Sequence, residues 1–381
     1  MQRKKLTPAT PDLDWMHSYF SSSLTNARGY HIDTPPNVKI KLDQNETPWD
    51  WPENLKNKVL ERVKSRSWQR YPSSFSSEVT NALADATGVP ADCILTANGS
   101  NVLVSILIST LTQKIKGKVV LARPSFALYE SHCQYESIPY EVWPLNAKLD
   151  YEIGMMPKLT EGSLVVFASP NNPVGNALPY ETLDSLLKLN PTSFFLADEA
   201  YFEFVERPFT ELLAKHANLI LVRTFSKTMG AAGARIGYVV ASAPLIRELS
   251  KLRLPYLLNN YAIETALEVL QNPEFELSRQ KAVAFILSER GRLTSKLTEI
   301  ADGNFEVKES HANFLLLMWK NQAQAIQAYE ALIDRGILIR NVSAAPGLSG
   351  CLRVTVGTTD ENQAFLTAMH EIAKIQILAK A

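Results

Sequence analysis

The chain has 381 residues, 46% of them hydrophobic and 20% charged, with 39 basic side chains balancing 39 acidic ones. That length is enough for two or three domains with sizeable cores, and the balanced charge argues against a mainly electrostatic binder of nucleic acid or membrane. Cys93, Cys133 and Cys351 form no CxxC pair and no closed disulfide set, so inert thiols in a reducing, cytoplasmic setting are expected.

The basic N-terminus lacks a following apolar stretch, so no signal peptide is expected. The longest apolar run, Phe314 to Trp319, is far short of the roughly 20 residues of a membrane helix. Residues 1–45 hold Pro8, Pro11, Pro35 and Pro36 and little periodic pattern; they read as an arm laid over another surface. Residues 46–270 read as a large domain. Short apolar, β-branched runs predict strands at Ile94–Ala97, Lys118–Ala122, Tyr140–Trp143, Leu164–Ser169, Ser193–Asp198, Leu219–Thr224 and Ile236–Ser242. Several are continuously hydrophobic, as strands buried on both faces are. Helical stretches such as Asn101–Gln113 and Tyr180–Leu189 lie between them. The alternation predicts an α/β fold with a mostly parallel sheet wrapped by helices.

The pattern changes over 271–381. A long, charged helix is predicted across Phe275–Ile300, then strands at Phe305–Lys308 and Ala312–Trp319. A helix near Ala323–Arg335, strands at Ile337–Arg340 and Cys351–Val356, and a last helix from about Asp360 complete the chain. This reads as a smaller α+β domain closed by the N-terminal arm.

The chain contains no G-x-x-x-x-G-K-[ST], no G-x-G-x-x-G and no H-E-x-x-H, and its six histidines show no metal spacing with the cysteines. No metal is expected. Four segments carry chemistry instead. In Thr224-Phe-Ser-Lys227, a lysine follows a buried strand and is trailed by Gly230, Gly233, Arg235 and Gly237. A partly desolvated lysine there can act as an amine nucleophile, and Ser226 with Arg235 suits a phosphate. A surface lysine in a glycine-rich loop gives the same pattern. Asp198 closes an apolar strand three residues before Tyr201; it reads either as a helix cap or as the partner of a buried cation. Ala168-Ser-Pro-Asn-Asn-Pro-Val-Gly175 is a stiff loop presenting Asn171 and Asn172, as turn chemistry alone also allows. Thr96-Ala-Asn-Gly-Ser-Asn101 is a glycine turn between strand and helix, where backbone N–H groups can face an anion.

Taken together and in this order, the segments resemble the fold-type I pyridoxal-phosphate enzymes, specifically the class I and II aminotransferases, from about Lys41 to the C-terminus. The supporting passages are Asn45-Glu-Thr-Pro48, Arg70-Tyr-Pro72, Pro124-Ser-Phe126, Ala312-Asn-Phe314, Gly336-Ile-Leu-Ile-Arg340 and Gly347 through Gly357. Within that family the chain is most similar to the histidinol-phosphate aminotransferases. The resemblance implies pyridoxal 5'-phosphate held by Lys227 as a Schiff base, with Lys227 also moving the substrate proton. It implies that Asp198 pairs with the ring nitrogen, that Asn172 and Tyr201 bond the ring oxygen, and that Phe126 stacks on the ring. Gly99, Ser100, Ser226 and Arg235 would cradle the phosphate, joined by Tyr71 from the partner subunit of a homodimer. Arg353 would take a substrate carboxylate and Arg340 a substrate phosphate, with Asn45, Asn313 and Tyr30 nearby.

The chain departs from the family pattern in Phe126 for a frequent tyrosine, Val174 for a frequent threonine, Ala234 for a larger aliphatic residue, and a glycine turn without the usual acidic residue. None of these removes a catalytic group. Trp49-Asp-Trp51 is a candidate influence on substrate preference. The reaction implied is transamination between histidinol phosphate and 2-oxoglutarate. Competing readings are an aromatic or broad-specificity aminotransferase, a phospho-amino-acid decarboxylase, and a non-catalytic cofactor-binding module.

Overall fold

In the computed structural model, residues 18–25, 35–252 and 254–378 are described. After a single helical turn at Ser22–Thr25, the chain builds two sheets. The larger has seven strands in the order β2-β8-β7-β6-β5-β3-β4. They are β2 (Ile94–Ala97), β3 (Val119–Arg123), β4 (Glu141–Pro144), β5 (Leu164–Ala168), β6 (Phe194–Asp198), β7 (Leu219–Thr224) and β8 (Gly237–Ala241). From β7 through β4 every pair is parallel, while β8 runs against both β7 and β2. Thus β2, β3, β5, β6 and β7 all end on one edge of the sheet, where β8 begins. The mostly parallel sheet expected from the continuous apolar runs is present.

Successive strand residues alternate between two apolar layers. Val165, Phe167, Phe195 and Ala197 pack with side chains of α1 (Glu53–Ser65), α2 (Ser77–Thr87), α5 (Tyr180–Leu189) and α7 (Asn260–Gln271). Leu164, Val166, Leu196 and Val222 pack with α3 (Ser100–Thr112), α4 (Ala127–Tyr135) and α6 (Ala243–Ser250). Both faces are covered, which explains why these strands carry no polar alternation.

The second sheet has five strands in the order β1-β11-β12-β10-β9. Strand β1 (Ile40–Leu42) runs parallel to β11 (Ile337–Asn341), whereas β12 (Cys351–Thr355), β10 (Phe314–Trp319) and β9 (Phe305–Lys308) follow antiparallel. Its core is shared with α8 (Pro273–Ala301), α9 (Gln322–Asp334) and α10 (Thr359–Leu378). Helix α8, 29 residues and so about 44 Å long, starts where Asn272 accepts from the Glu274 N–H and Pro273 takes a first-turn position. No helix among the described residues is long and apolar enough to cross a membrane.

One buried ion pair pins the β6 end to β7. The Arg223 guanidinium donates twice to Glu199 Oε2, at 2.9 and 2.7 Å, and Glu199 Oε1 accepts from the Phe209 N–H at 2.8 Å. The two side chains are only 2% and 1% exposed. Removing one partner strands a buried charge, so Glu199→Ala is expected to lose about 3–5 kcal/mol of unfolding free energy in urea titrations. A loss under about 0.5 kcal/mol, the scale of a surface change, would show that the pair does not hold this corner.

Candidate active site

The strand ends on the common edge carry most of the residues singled out by sequence. Asp198 ends β6 and is 7% exposed. Its Oδ1 accepts from the Ala200 N–H at 3.0 Å and its Oδ2 from the Tyr129 hydroxyl at 2.6 Å. Burial pushes its pKa up, and the hydrogen bonds from Tyr129 and Ala200 pull the other way, with help from the Lys227 charge. The side chain is therefore a deeply placed, oriented carboxyl rather than a surface cap.

Lys227 lies three residues beyond β7. Its Nζ donates to the Gln44 carbonyl at 3.0 Å and stands 5.7 Å from the centre of the Tyr201 ring. Desolvation lowers its pKa to about 7, and the nearby Arg353 and Arg235 charges reinforce the shift against Glu46 and Asp198. A lysine in this state is a nucleophilic amine near neutrality. The loop around it is braced: the Thr47 hydroxyl donates to the Lys227 carbonyl at 3.2 Å and the Trp51 indole to the Met229 carbonyl at 2.9 Å. Trp51 thus supports the lysine loop, while Trp49 packs edge-on against Phe285, ring centroids 4.5 Å apart.

The glycine turn meets the same loop. Gly99 has φ +85°, and a Cβ there would lie 2.6 Å from Arg235 Nη2, so only glycine leaves the guanidinium in place. A Cβ on Gly237 would lie 2.3 Å from the Ser100 backbone nitrogen, which packs the start of β8 against the start of α3. That helix has 13 residues and no side-chain cap, leaving first-turn N–H groups free to face an anion. Arg235 reaches the Ser226 hydroxyl at 3.5 Å. Gly99, Ser100, Ser226 and Arg235 converge into a cradle with the donors and charge for a phosphate.

A second cluster ties the two sheets together. Asn45, 1% exposed, donates through its amide to the Tyr201 oxygen at 2.8 Å, and its carbonyl accepts from Asn313 at 3.1 Å. Thr355 donates to the Asn45 amide oxygen at 3.1 Å. Arg353, on β12 and 6% exposed, donates to the Asn172 amide oxygen and to the Asp43 carbonyl. The two asparagines of the stiff loop separate here. Asn171 is fully buried and donates to the Pro124 carbonyl at 2.9 Å, whereas Asn172 joins the Arg353 cluster.

Arg340 is half-buried on β11, directly across from Arg353 in the strand register. Among the described residues its guanidinium has no ion-pair or hydrogen-bond partner. Phe126 precedes α4 and meets Tyr129 edge-on, centroids 5.7 Å apart. Tyr71 stands apart: it is 80% exposed and stacks on Tyr256 at 4.4 Å. Tyr30 lies outside the described residues. Sequence reasoning missed Tyr129, whose signal is its position three residues after Phe126, and the carbonyls of Asp43 and Gln44, which no side-chain pattern reveals. Among the described residues no three His, Cys, Asp or Glu side chains gather as a metal site would require.

An amine that is neutral above its pKa reacts fastest there. Lys227 in the protein free of ligands is expected to reach half its maximal rate with an amine-directed reagent near pH 7, read by peptide mass spectrometry across about pH 6 to 10. A midpoint near 10 would contradict the desolvated site.

The model of the family described as aminotransferase class I and II matches residues 37–369. A histidinol-phosphate aminotransferase of Chlorobaculum tepidum is 31% identical over 92% of this chain and 99% of its own length. That of Thermococcus gammatolerans is 34% identical over 88% and 93%. Among solved structures, the histidinol-phosphate aminotransferase of Sinorhizobium meliloti in complex with pyridoxal-5'-phosphate aligns with a TM-score of 0.80 at 21% identity, over 94% of this chain and 98% of that one.

Proposed function

The chain belongs to the class I and II aminotransferases, and from that premise we propose that it moves an amino group from histidinol phosphate to 2-oxoglutarate, giving imidazole-acetol phosphate and glutamate. The observation that carries the donor assignment is Arg340. Like charges directly opposite on adjacent strands repel, yet Arg340 faces Arg353 across β11 and β12 with no acidic partner among the described residues. The anions of the two half-reactions resolve that conflict in turn, the phosphate of histidinol phosphate at Arg340 and a carboxylate of glutamate or 2-oxoglutarate at Arg353, and guanidinium groups bind both in charge-assisted, two-pronged fashion.

Pyridoxal 5'-phosphate is the cofactor of this reading, and the residues fit it. The cradle that a Cβ at Gly99 would fill suits its phosphate, the buried Asp198 carboxyl suits its ring nitrogen, and the desolvated Lys227 suits its aldehyde. Once bound, the cofactor supplies an electron sink for the pair left at the substrate Cα. Lys227 attaches it and carries the proton to and from Cα. Asp198 holds the proton on the ring nitrogen, Asn172 and Tyr201 hold the ring oxygen, and Phe126 covers one ring face. Arg340 takes the phosphate of histidinol phosphate and Arg353 the carboxylate of glutamate and 2-oxoglutarate, with Asn45 and Asn313 walling the pocket and Tyr30 assigned to the phosphate end. Binding energy from the remote phosphate then aligns the reacting carbon.

The domain division of this reading is an arm at 1–45, a cofactor domain at 46–270 and a small domain at 271–381. It is supported by β1 pairing in the second sheet and by α8 beginning at Pro273. The active unit of this reading is a homodimer. Exposed Tyr71, Phe75, Leu254 and Tyr256 form an apolar surface suited to a second copy, which brings Tyr71 to the partner's phosphate cradle. Mixing inactive Tyr71→Phe and Lys227→Ala subunits is expected to restore about a quarter of wild-type activity, since half the dimers are mixed and each has one intact site. No recovery would end the shared-site reading.

The donor assignment is tested by visible absorbance of the holoenzyme. Histidinol phosphate should bleach the bound-cofactor band and 2-oxoglutarate should restore it, with phenylalanine far weaker. Arg340→Ala is expected to raise KM for histidinol phosphate roughly tenfold or more while leaving the glutamate half-reaction unchanged. Bleaching by phenylalanine alone would assign an aromatic aminotransferase, and release of carbon dioxide would assign a decarboxylase.

A further inference from the structure

We propose that Tyr129 is a positioning residue that keeps the Asp198 carboxyl ionised and aimed, so that the proton shared between Asp198 and the cofactor stays on the ring nitrogen. The inference rests on the cofactor reading above and concerns a side chain that acts through Asp198.

A carboxyl buried at the end of β6 has two ways to pair with a pyridine nitrogen. Either the ring carries the proton and Asp198 the negative charge, or the proton sits on Asp198 and both groups are neutral. Burial alone favours the neutral pair, and Asp198 is indeed pushed toward protonation by its surroundings. Only the charged ring withdraws electrons strongly, so the choice decides how well the site works.

Two donors bias that choice. The Ala200 N–H points at Oδ1 from 3.0 Å and the Tyr129 hydroxyl at Oδ2 from 2.6 Å. The Ala200 N–H can only donate. The Tyr129 phenol is fully buried, and its own ionisation is driven well above the ordinary tyrosine range, so it stays a donor at every working pH. An ionised carboxylate has about four acceptor positions; two are filled by these donors, which leaves room for a ring N–H. A protonated Asp198 would set its own O–H against the phenol or forfeit one of the two bonds. Hydrogen bonds to a charged acceptor are stronger than those to a neutral one, and two of them on one carboxylate favour leaving the proton on the ring nitrogen.

The placement follows from the fold. Leu196 packs in the layer that includes Tyr129 of α4, and Asp198, two residues on, points the same way by the strand period. Tyr129 follows Phe126 by three residues and donates its backbone N–H to the Phe126 carbonyl at 3.2 Å. Asn171 secures the preceding Pro124 carbonyl at 2.9 Å. A single buttressed turn therefore presents the ring-covering Phe126 and the hydroxyl that anchors Asp198.

The test loads wild type and Tyr129→Phe with pyridoxal phosphate carrying nitrogen-15 in the ring and records its resonance. The wild type should show a protonated ring nitrogen, and the variant should move toward the unprotonated position. Cofactor affinity should fall roughly ten- to a hundredfold in the variant. With the 1-deaza cofactor analogue, which has carbon in place of the ring nitrogen, the same substitution should cost little. In an Asp198→Asn background Tyr129→Phe should have no further effect on affinity. A shift-free resonance, or equal losses with both cofactors, would overturn the inference and leave Tyr129 as packing. If Tyr129→Phe does not fold, placing 3,5-difluorotyrosine at position 129 keeps the shape and strengthens the donor; the ring nitrogen should then stay protonated to a higher pH than in the wild type, and an unchanged pH profile of the resonance would overturn the inference. Failure of the parent reading looks different: the wild type would take up no cofactor at all.

Discussion

The Lys227 ammonium has a backbone carbonyl as its hydrogen-bond partner where a surface lysine would have water or a carboxylate. Gln44 supplies that carbonyl, and its neighbours Asp43 and Asn45 bind Arg353, Tyr201, Asn313 and Thr355. Three consecutive residues of one short segment therefore connect the ends of β6 and β12 to the lysine loop. A neutral carbonyl satisfies the amine without stabilising its charge as a carboxylate would, and the arginines on either side act against that charge. The lowered pKa of Lys227 comes first from its burial, to which the segment after β1 contributes, and then from the Arg353 and Arg235 charges, which act against Glu46 and Asp198.

The same constraint accounts for the rigidity of the surroundings. The Lys227 loop is held by Thr47 and Trp51 on one side and by the close approach of Gly99 and Gly237 to their neighbours on the other. Asp198, one strand over, is held by Tyr129, and the adjacent Glu199 by Arg223. Charged groups are costly to bury unless paired, and here each is paired by an element with its own packing role. The site is assembled from groups fixed before any ligand arrives, which is what pre-organised electrostatic stabilisation requires.

Much of this was legible in the residues. Leu219–Thr224, Ile94–Ala97 and Tyr180–Leu189 fall where the apolar runs and the helical period put them, because continuous β-branched runs and a 3.6-residue period are local signals. Asp198 stands out because a charged residue ending a buried strand is costly without a purpose, and Lys227 and Arg235 because they follow a buried strand among small residues. Other features depend on contacts far apart in sequence. Strand β1 is three residues with a lysine at its centre, too short to stand out from an arm. Asn45 meets Thr355 across 310 positions, and nothing local distinguishes it from a turn asparagine. Asn171 and Asn172 look alike until one is buried against Pro124 and the other faces Arg353. Tyr129 reads as an ordinary apolar helix position, since its hydroxyl finds Asp198 only once α4 is packed on the sheet.

The central claim is that one desolvated amine, Lys227, is the attachment point around which the other groups are arranged. Reduction of the cofactor-loaded protein with sodium borohydride, followed by peptide mapping, tests it most directly. The account predicts a single phosphopyridoxyl adduct per chain, on Lys227, with none after Lys227→Ala. An adduct spread over several lysines, or one that survives that substitution, would contradict it.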